Sequence, residues 1–122
     1  VVELNKILVV EDSKNIVTVL KICLTNAGYE VKIVSDGVDA VDTAFDWEPD
    51  LILLDIKIPK MNGFLVCETL KKDESTAQIP ILMMSAKAEE EDIKKAYDLG
   101  ADDYIIKPVE PSKLLEKIAS YL

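Results

Sequence analysis

The stretch DLILLDIKIPKMNG, residues 50–63, holds an apolar run, LILL, that stops at Asp55 and opens into a turn marked by Pro59 and Gly63. The run has no polar alternation, so it reads as a short strand buried on both faces, the habit of strands inside a parallel sheet. Working outward, KILVV at 6–10, VKIV at 31–34, ILMM at 81–84 and YII at 104–106 are runs of the same branched, apolar kind. Five strands are expected.

The stretches between the strands carry helical spacing instead. Ile16, Leu20, Cys23, Leu24 and Ala27 recur at helical intervals, and Gly28 follows where a left-handed C-terminal cap would sit. The first helix is therefore expected from about Ser13 to Ala27. Val38, Val41, Ala44 and Phe45 mark a second helix, and Val66, Cys67 and Leu70 a third. Ile93 and Ala96 mark a fourth, and Leu114, Leu115 and Ile118 a fifth, with Gly100 and Pro111 as punctuation. The acidic run Glu89 to Asp92 reads as the solvated first turn of the fourth helix. Strict alternation of strand and helix gives an α/β fold, a doubly wound parallel sheet covered by helices on both faces. It is expected to form one domain over residues 1–122, closing with the fifth helix.

Composition narrows the function. The formal charge is −9, from 14 basic and 23 acidic residues, so this domain is repelled by phosphate backbones and anionic lipid. Neither nucleic acid nor membrane is expected as a direct partner. No apolar run approaches the roughly 20 residues that span a bilayer, and the opening VVELNKILVV lacks a cleavable signal pattern. Cys23 and Cys67 fall in separate helical stretches and read as small apolar groups in a reducing cytosol, which gives a cytoplasmic expectation. The chain has no histidine. That removes the usual general base and zinc ligand, leaving carboxylates, lysine and hydroxyls to carry any chemistry.

In open α/β sheets, ligands bind outside the carboxyl ends of the strands. There the sequence places Glu11 and Asp12 after the first run, Asp55 after the third, Ser85 after the fourth and Lys107 after the fifth. Each has a bland alternative: Asp12 or Ser13 could cap the first helix, Asp55 could open a turn, and Ser85 could cap the fourth helix. Together they form a pattern. Converging carboxylates repel one another unless a cation neutralises them, and an all-oxygen set points to a hard ion, magnesium rather than zinc. Lys107 would stand beside the anionic oxygens as a point charge, and Ser85 could donate a hydrogen bond to the same group.

Four segments, ILVVEDS at 7–13, DLILLDIKIPKMNG at 50–63, ILMMSAKA at 81–88 and GADDYIIKP at 100–108, resemble the receiver domain of two-component response regulators. The resemblance covers essentially the whole chain. It implies a flavodoxin-like sheet of strand order 2-1-3-4-5 with five helices. It implies further that Asp55 accepts a phosphoryl group from a partner's phosphohistidine, with slow self-dephosphorylation. Magnesium would be held by Glu11, Asp12, Asp55 and the backbone carbonyl of Lys57. Ser85 and Lys107 would meet the phosphoryl oxygens, and Tyr104 would turn inward as Ser85 moves. The changed surface would lie around helix 4, strand 5 and helix 5. The implied partners are a sensor histidine kinase or a histidine phosphotransfer protein upstream, and a downstream protein or fused output domain.

The same resemblance makes Lys107-Pro108 a cis peptide that aims the ammonium into the site, with Pro59 and Gly63 as supports. Lys57 and Lys87 depart from it, because they stand where related domains tune the attacking water. Lys113 departs as well, standing where regulators with winged-helix output carry an acid, while Lys117 keeps the expected base. Two other classes share the fold or the nucleophile. A flavodoxin would need a phosphate cradle where Glu11 and Asp12 stand, and an aspartyl phosphohydrolase would need an acid where Lys57 stands. A third reading is a binding module that never becomes phosphorylated.

Overall fold

The computed structural model describes residues 3–122; Val1 and Val2, which open the domain expected over 1–122, lie outside the described residues. Its strands are β1 (Lys6–Val10), β2 (Glu30–Val34), β3 (Leu51–Asp55), β4 (Ile81–Ser85) and β5 (Asp103–Ile106). Between and after them run α1 (Lys14–Asn26), α2 (Gly37–Trp47), α3 (Gly63–Lys72), α4 (Glu90–Asp98) and α5 (Pro111–Tyr121). The sheet is parallel, in the order β2-β1-β3-β4-β5, as the resemblance implied.

The period of two along each strand divides the core into two layers. Leu8, Val10, Ile52, Leu54, Ile81 and Met83 face Ala40 and Ala44 of α2, Val66 and Leu70 of α3, and Ala96 of α4. Ile7, Val9, Leu51, Leu53, Leu82 and Met84 face Leu20 and Leu24 of α1 and Leu114 and Ile118 of α5. The inner strands β3 and β4 are buried throughout, while edge strand β2 is only partly covered. Both faces of the inner strands need apolar side chains, which is why their sequence shows no alternation.

Several strands run one residue beyond the apolar runs: Glu30 pairs with Lys6, Asp55 with Met84, Ser85 with Ile106 and Asp103 with Leu82. The backbone ladder continues under a polar side chain, so an apolar criterion stops too early. The consequence is functional, because Asp55 and Ser85 are held by the sheet rather than by a loop.

Helix ends follow the local chemistry. Asp36 accepts the Asp39 amide at 2.8 Å and Asn62 the Leu65 amide at 3.0 Å. Gly28 takes φ 95° just past α1, the left-handed cap expected there. Ser13 occupies the N-cap position of α1 with no side-chain cap bond, and α4 starts at Glu90, too far from Ser85 for that residue to cap it. Both residues are free of the capping role that served as the bland alternative. Glu90, Glu91 and Asp92 form the first turn of α4, where the helix dipole favours negative charge. Cys67 is buried and Cys23 partly buried, and neither is in a disulfide. Among the described residues no helix is long and apolar enough to cross a membrane.

Candidate functional site

The ends of β1 and β3 bring the acidic residues together. Glu11, Asp12 and Asp55 each offer a carboxylate oxygen, and these oxygens lie within 4.8 Å of one another. Glu11 is 1% exposed and Asp55 6% exposed, whereas Asp12 faces solvent. Lys107, just past β5, reaches across the ends of the strands to place its Nζ 2.6 Å from Glu11 Oε1 and 3.4 Å from Asp55 Oδ2. The Lys107-Pro108 peptide is cis, as the resemblance implied.

The electrostatics follow from burial and charge spacing. Burial raises the Asp55 carboxyl to about 6, and the neighbouring negative charge of Glu11 adds to the rise, with Lys107 opposing it. For Glu11, burial also works upward, but hydrogen bonds from Lys107, Asp55 and the Ser13 amide outweigh it and hold the group below its usual range. Burial works to lower Lys107, and its hydrogen bond to Glu11 together with both negative charges reverses that, so it stays an ammonium. Glu11 Oε2 also accepts the amides of Asp12 at 3.0 Å and Ser13 at 3.3 Å. The site thus holds an excess of negative charge over its one lysine.

That donor set suits a hard divalent cation: carboxylates only, no imidazole or thiolate, with an exposed Asp12 open to solvent-bound ligands. Magnesium fits these residues.

Ser85 and Tyr104 meet on a shared neighbour. Ser85, 3% exposed, accepts the Lys87 amide on its Oγ at 3.0 Å, and the Tyr104 hydroxyl donates to the Lys87 carbonyl at 2.9 Å. Both backbone polar groups of Lys87 are therefore held by these two side chains. Tyr104 is 9% exposed, with its ring already turned inward. Lys57 and Lys87 are exposed, each two residues beyond Asp55 and Ser85 in turn. Lys113 lies against Glu110 at the surface, and Lys117 reaches Asp103 at 3.2 Å. The base that the resemblance retains is thus engaged within its own chain.

Gly63 shows why the turn after Asp55 is built as it is. A Cβ there would lie 2.5 Å from the Asp55 carbonyl oxygen and 2.7 Å from Ile56 Cα, both backbone atoms that cannot swing aside. Gly63→Ala is expected to destabilise the domain by about 1–3 kcal/mol through overpacking. A denaturant midpoint that falls with unchanged slope checks it.

Sequence reasoning did not single out the connection between β2 and α2. Asp36 lies 3.6 Å from Lys60, and the Gly37 amide donates to the Pro59 carbonyl at 3.1 Å. The signal was present in Ser35-Asp36-Gly37, a turn and N-cap signature directly before helical spacing.

Comparison with known proteins gives a consistent picture. The response regulator receiver domain profile matches residues 7–119. The chain is 39% identical over 117 residues to the DNA-binding dual master transcriptional regulator RpaA of a Synechocystis species, covering 96% of this chain and 48% of RpaA. It is 43% identical over 117 residues to the alkaline phosphatase synthesis transcriptional regulatory protein PhoP of Bacillus subtilis, with the same two coverages. The chain thus spans about half the length of the curated relatives it matches. The receiver domain of a Pseudomonas aeruginosa sensor histidine kinase superposes with a TM-score of 0.90 at 29% identity, covering 98% of each chain. That crystal structure carries a magnesium ion coordinated in the active-site cleft.

Proposed function

This chain belongs to the response regulator receiver family and is, as a domain, a phosphorylation-dependent switch of the two-component type; from that premise we propose that Asp55 takes the phosphoryl group. The carrying observation is the meeting of Glu11, Asp12 and Asp55 at the ends of β1 and β3, with Lys107 lying against two of them. The receiver unit spans residues 1–122.

Asp55 attacks phosphorus through one carboxylate oxygen. The P–N bond of a phosphohistidine, or the P–O bond of an acyl phosphate, breaks with its electron pair leaving on the donor. Glu11, Asp12, Asp55 and the Lys57 carbonyl would hold magnesium, which when bound offsets negative charge on the transferring group. The chain's own contribution is placement. β3 fixes the nucleophile in a sheet register, and Lys107 supplies a fixed positive charge to a phosphoryl oxygen. No general base is needed, because ionised Asp55 is itself the nucleophile. Slow self-dephosphorylation follows from having no second acid in the turn after Asp55.

Ser85 then donates its hydroxyl to the phosphoryl group. Ser85 moves toward the phosphoryl group to do so, and that movement draws Oγ away from the Lys87 amide, while Tyr104 still holds the Lys87 carbonyl. The segment after β4 is thereby re-set, which changes the surface of α4, β5 and α5. Because Tyr104 already points inward, the moving part is this segment more than the ring.

Upstream, the donor is a sensor histidine kinase or a histidine phosphotransfer protein, since these 122 residues hold no histidine of their own. Downstream, the DNA-binding regulators it resembles support a fused or separate output module. The charge of −9 keeps nucleic acid off this domain itself, and the reducing cytoplasm is its place of action.

Lys57 and Lys87 set the phosphoryl lifetime. An ammonium donates hydrogen bonds and accepts none, so neither lysine can orient an attacking water by accepting its proton. The double variant Lys57→Asn, Lys87→Glu supplies acceptors and is expected to hydrolyse about fivefold faster, near 1 kcal/mol in barrier. An unchanged decay of the phosphorylated form contradicts this role.

The test of the function is intact mass after incubation with acetyl phosphate. One phosphoryl group is expected with magnesium present, and none after chelation or in Asp55→Asn. Uptake that survives Asp55→Asn would sink the assignment.

A further inference from the structure

Glu11 and Asp55 stand on different strands, yet one segment ties their loops together. The Glu11 amide donates to the Val34 carbonyl at 3.0 Å, and the Gly37 amide donates to the Pro59 carbonyl at 3.1 Å. Residues 34–37 therefore bridge the end of β1 and the turn that follows Asp55. The bridge comes from an edge strand and a helix start, neither of which supplies a carboxylate to the cluster.

On the side of the turn, the contact is close and over-determined. Gly37 lies so near Met61 that a Cβ would overlap the Met61 carbonyl. Asp36, 6% exposed, accepts the Asp39 amide through Oδ1 and turns Oδ2 to within 3.6 Å of Lys60 Nζ. Lys60 itself takes φ 69°, a left-handed conformation that costs a side-chain-bearing residue free energy. Such a conformation persists where surrounding contacts hold it, and here they are the Asp36 pair, the Gly37 contact and the Met61 amide bonded to the Pro59 carbonyl at 2.8 Å. Pro59 shares one groove wall with Glu11, Asp12 and Asp39, so the bridge runs along the rim of the carboxylate cluster.

We infer that residues 34–37 are a positioning strap: they set the spacing between Glu11-Asp12 and the turn after Asp55, and through it the affinity for magnesium, without touching the ion. This rests on the reading that those carboxylates hold magnesium. Groups that orient metal ligands typically change affinity by about 10–100-fold when removed. The strap reaches the site through backbone bonds, so bulk at Gly37 displaces it more than loss of any one side chain.

The experiment is calorimetric titration of the full chain with magnesium chloride. Gly37→Ala is expected to weaken the dissociation constant about tenfold or more. The magnesium concentration for half-maximal phosphoryl uptake from acetyl phosphate should rise by the same factor. The uptake rate at saturating magnesium should stay within about threefold of the parent, the split expected of lost affinity rather than lost chemistry. Ala44→Gly destabilises the same helix away from the turn, and should leave the dissociation constant within about twofold, consistent with independent sites. Where Gly37→Ala does not fold, Lys60→Met decides, since it removes the ion pair without adding bulk and should weaken magnesium at least about threefold. A folded Gly37→Ala, or a Lys60→Met, that binds magnesium as the parent does overturns the strap. A parent that binds no magnesium would instead defeat the reading on which it rests.

Discussion

Lys107→Met is expected to destabilise the metal-free protein by about 3–5 kcal/mol at pH 7.5, the scale for stripping one partner from a buried pair. The ammonium lies 2.6 Å from Glu11 and 3.4 Å from Asp55, and both carboxylates are nearly inaccessible to water. Methionine keeps the length and apolar stem while removing the charge, so two like charges remain together in a poorly solvated place. The sign of the pH dependence follows. Lys107 is raised above its usual range, so its contribution is present throughout neutral and acid pH and fades only at alkaline pH. The carboxylates therefore set the profile. In the variant, both lose the charge that opposed their protonation, and each takes up a proton at higher pH than in the parent. The destabilisation should be largest above pH 7 and shrink toward pH 5. Urea denaturation in chelator at pH 7.5 and 5.0 reads this directly. An equal, small loss at both values would show that Lys107 is a surface charge without an electrostatic role.

Asp55→Asn should do the opposite and stabilise the metal-free protein at pH 7, by about 2–3 kcal/mol at 1.36 kcal/mol per unit. Asp55 is raised from 3.8 to about 6, first by burial and then by Glu11. Folding therefore favours its protonated form: this contribution is full below the unfolded value and lost as pH rises through about 6. The stabilising gain of the variant should accordingly vanish toward pH 4. Asp36 and Asp103 are held below their usual range and lose stability as pH falls, which is why the variant is compared with its parent at each pH. At a hundredfold excess of magnesium over its dissociation constant the parent gains about 2.7 kcal/mol, so the advantage of the variant should close. A variant less stable than the parent in chelator at pH 7 would contradict the charge crowding.

Much of this was legible in the sequence, for reasons that differ by residue. The five strands were readable because a parallel sheet buries both faces, so LILL and ILMM could not be mistaken for half-exposed strands. Glu11, Asp12, Asp55, Ser85 and Lys107 were readable because the fold forces the residue after each strand to one edge. The capping alternatives for Ser13 and Ser85 dissolved on geometry, since a cap depends on where a helix begins and helical spacing leaves that uncertain by a few residues. The Lys107–Glu11 pair joins residues 96 apart, and only the cross-sheet arrangement brings them together. The bond from the Tyr104 hydroxyl to the Lys87 carbonyl was not readable, because it joins residues 17 apart that only the fold brings together. The strap at residues 34–37 was missed because its work is done by backbone groups, which composition does not reveal.

The account turns on which side chain carries the phosphoryl group. An acyl phosphate is reduced by borohydride to the corresponding alcohol, so a phosphorylated aspartate becomes homoserine and a phosphorylated serine is left unchanged. Peptide mass spectrometry after acetyl phosphate, magnesium and borohydride should find homoserine at position 55 and nowhere else. Reduction at Glu11 or Asp12, phosphate retained on Ser85, or no modified residue at all would contradict the assignment of Asp55.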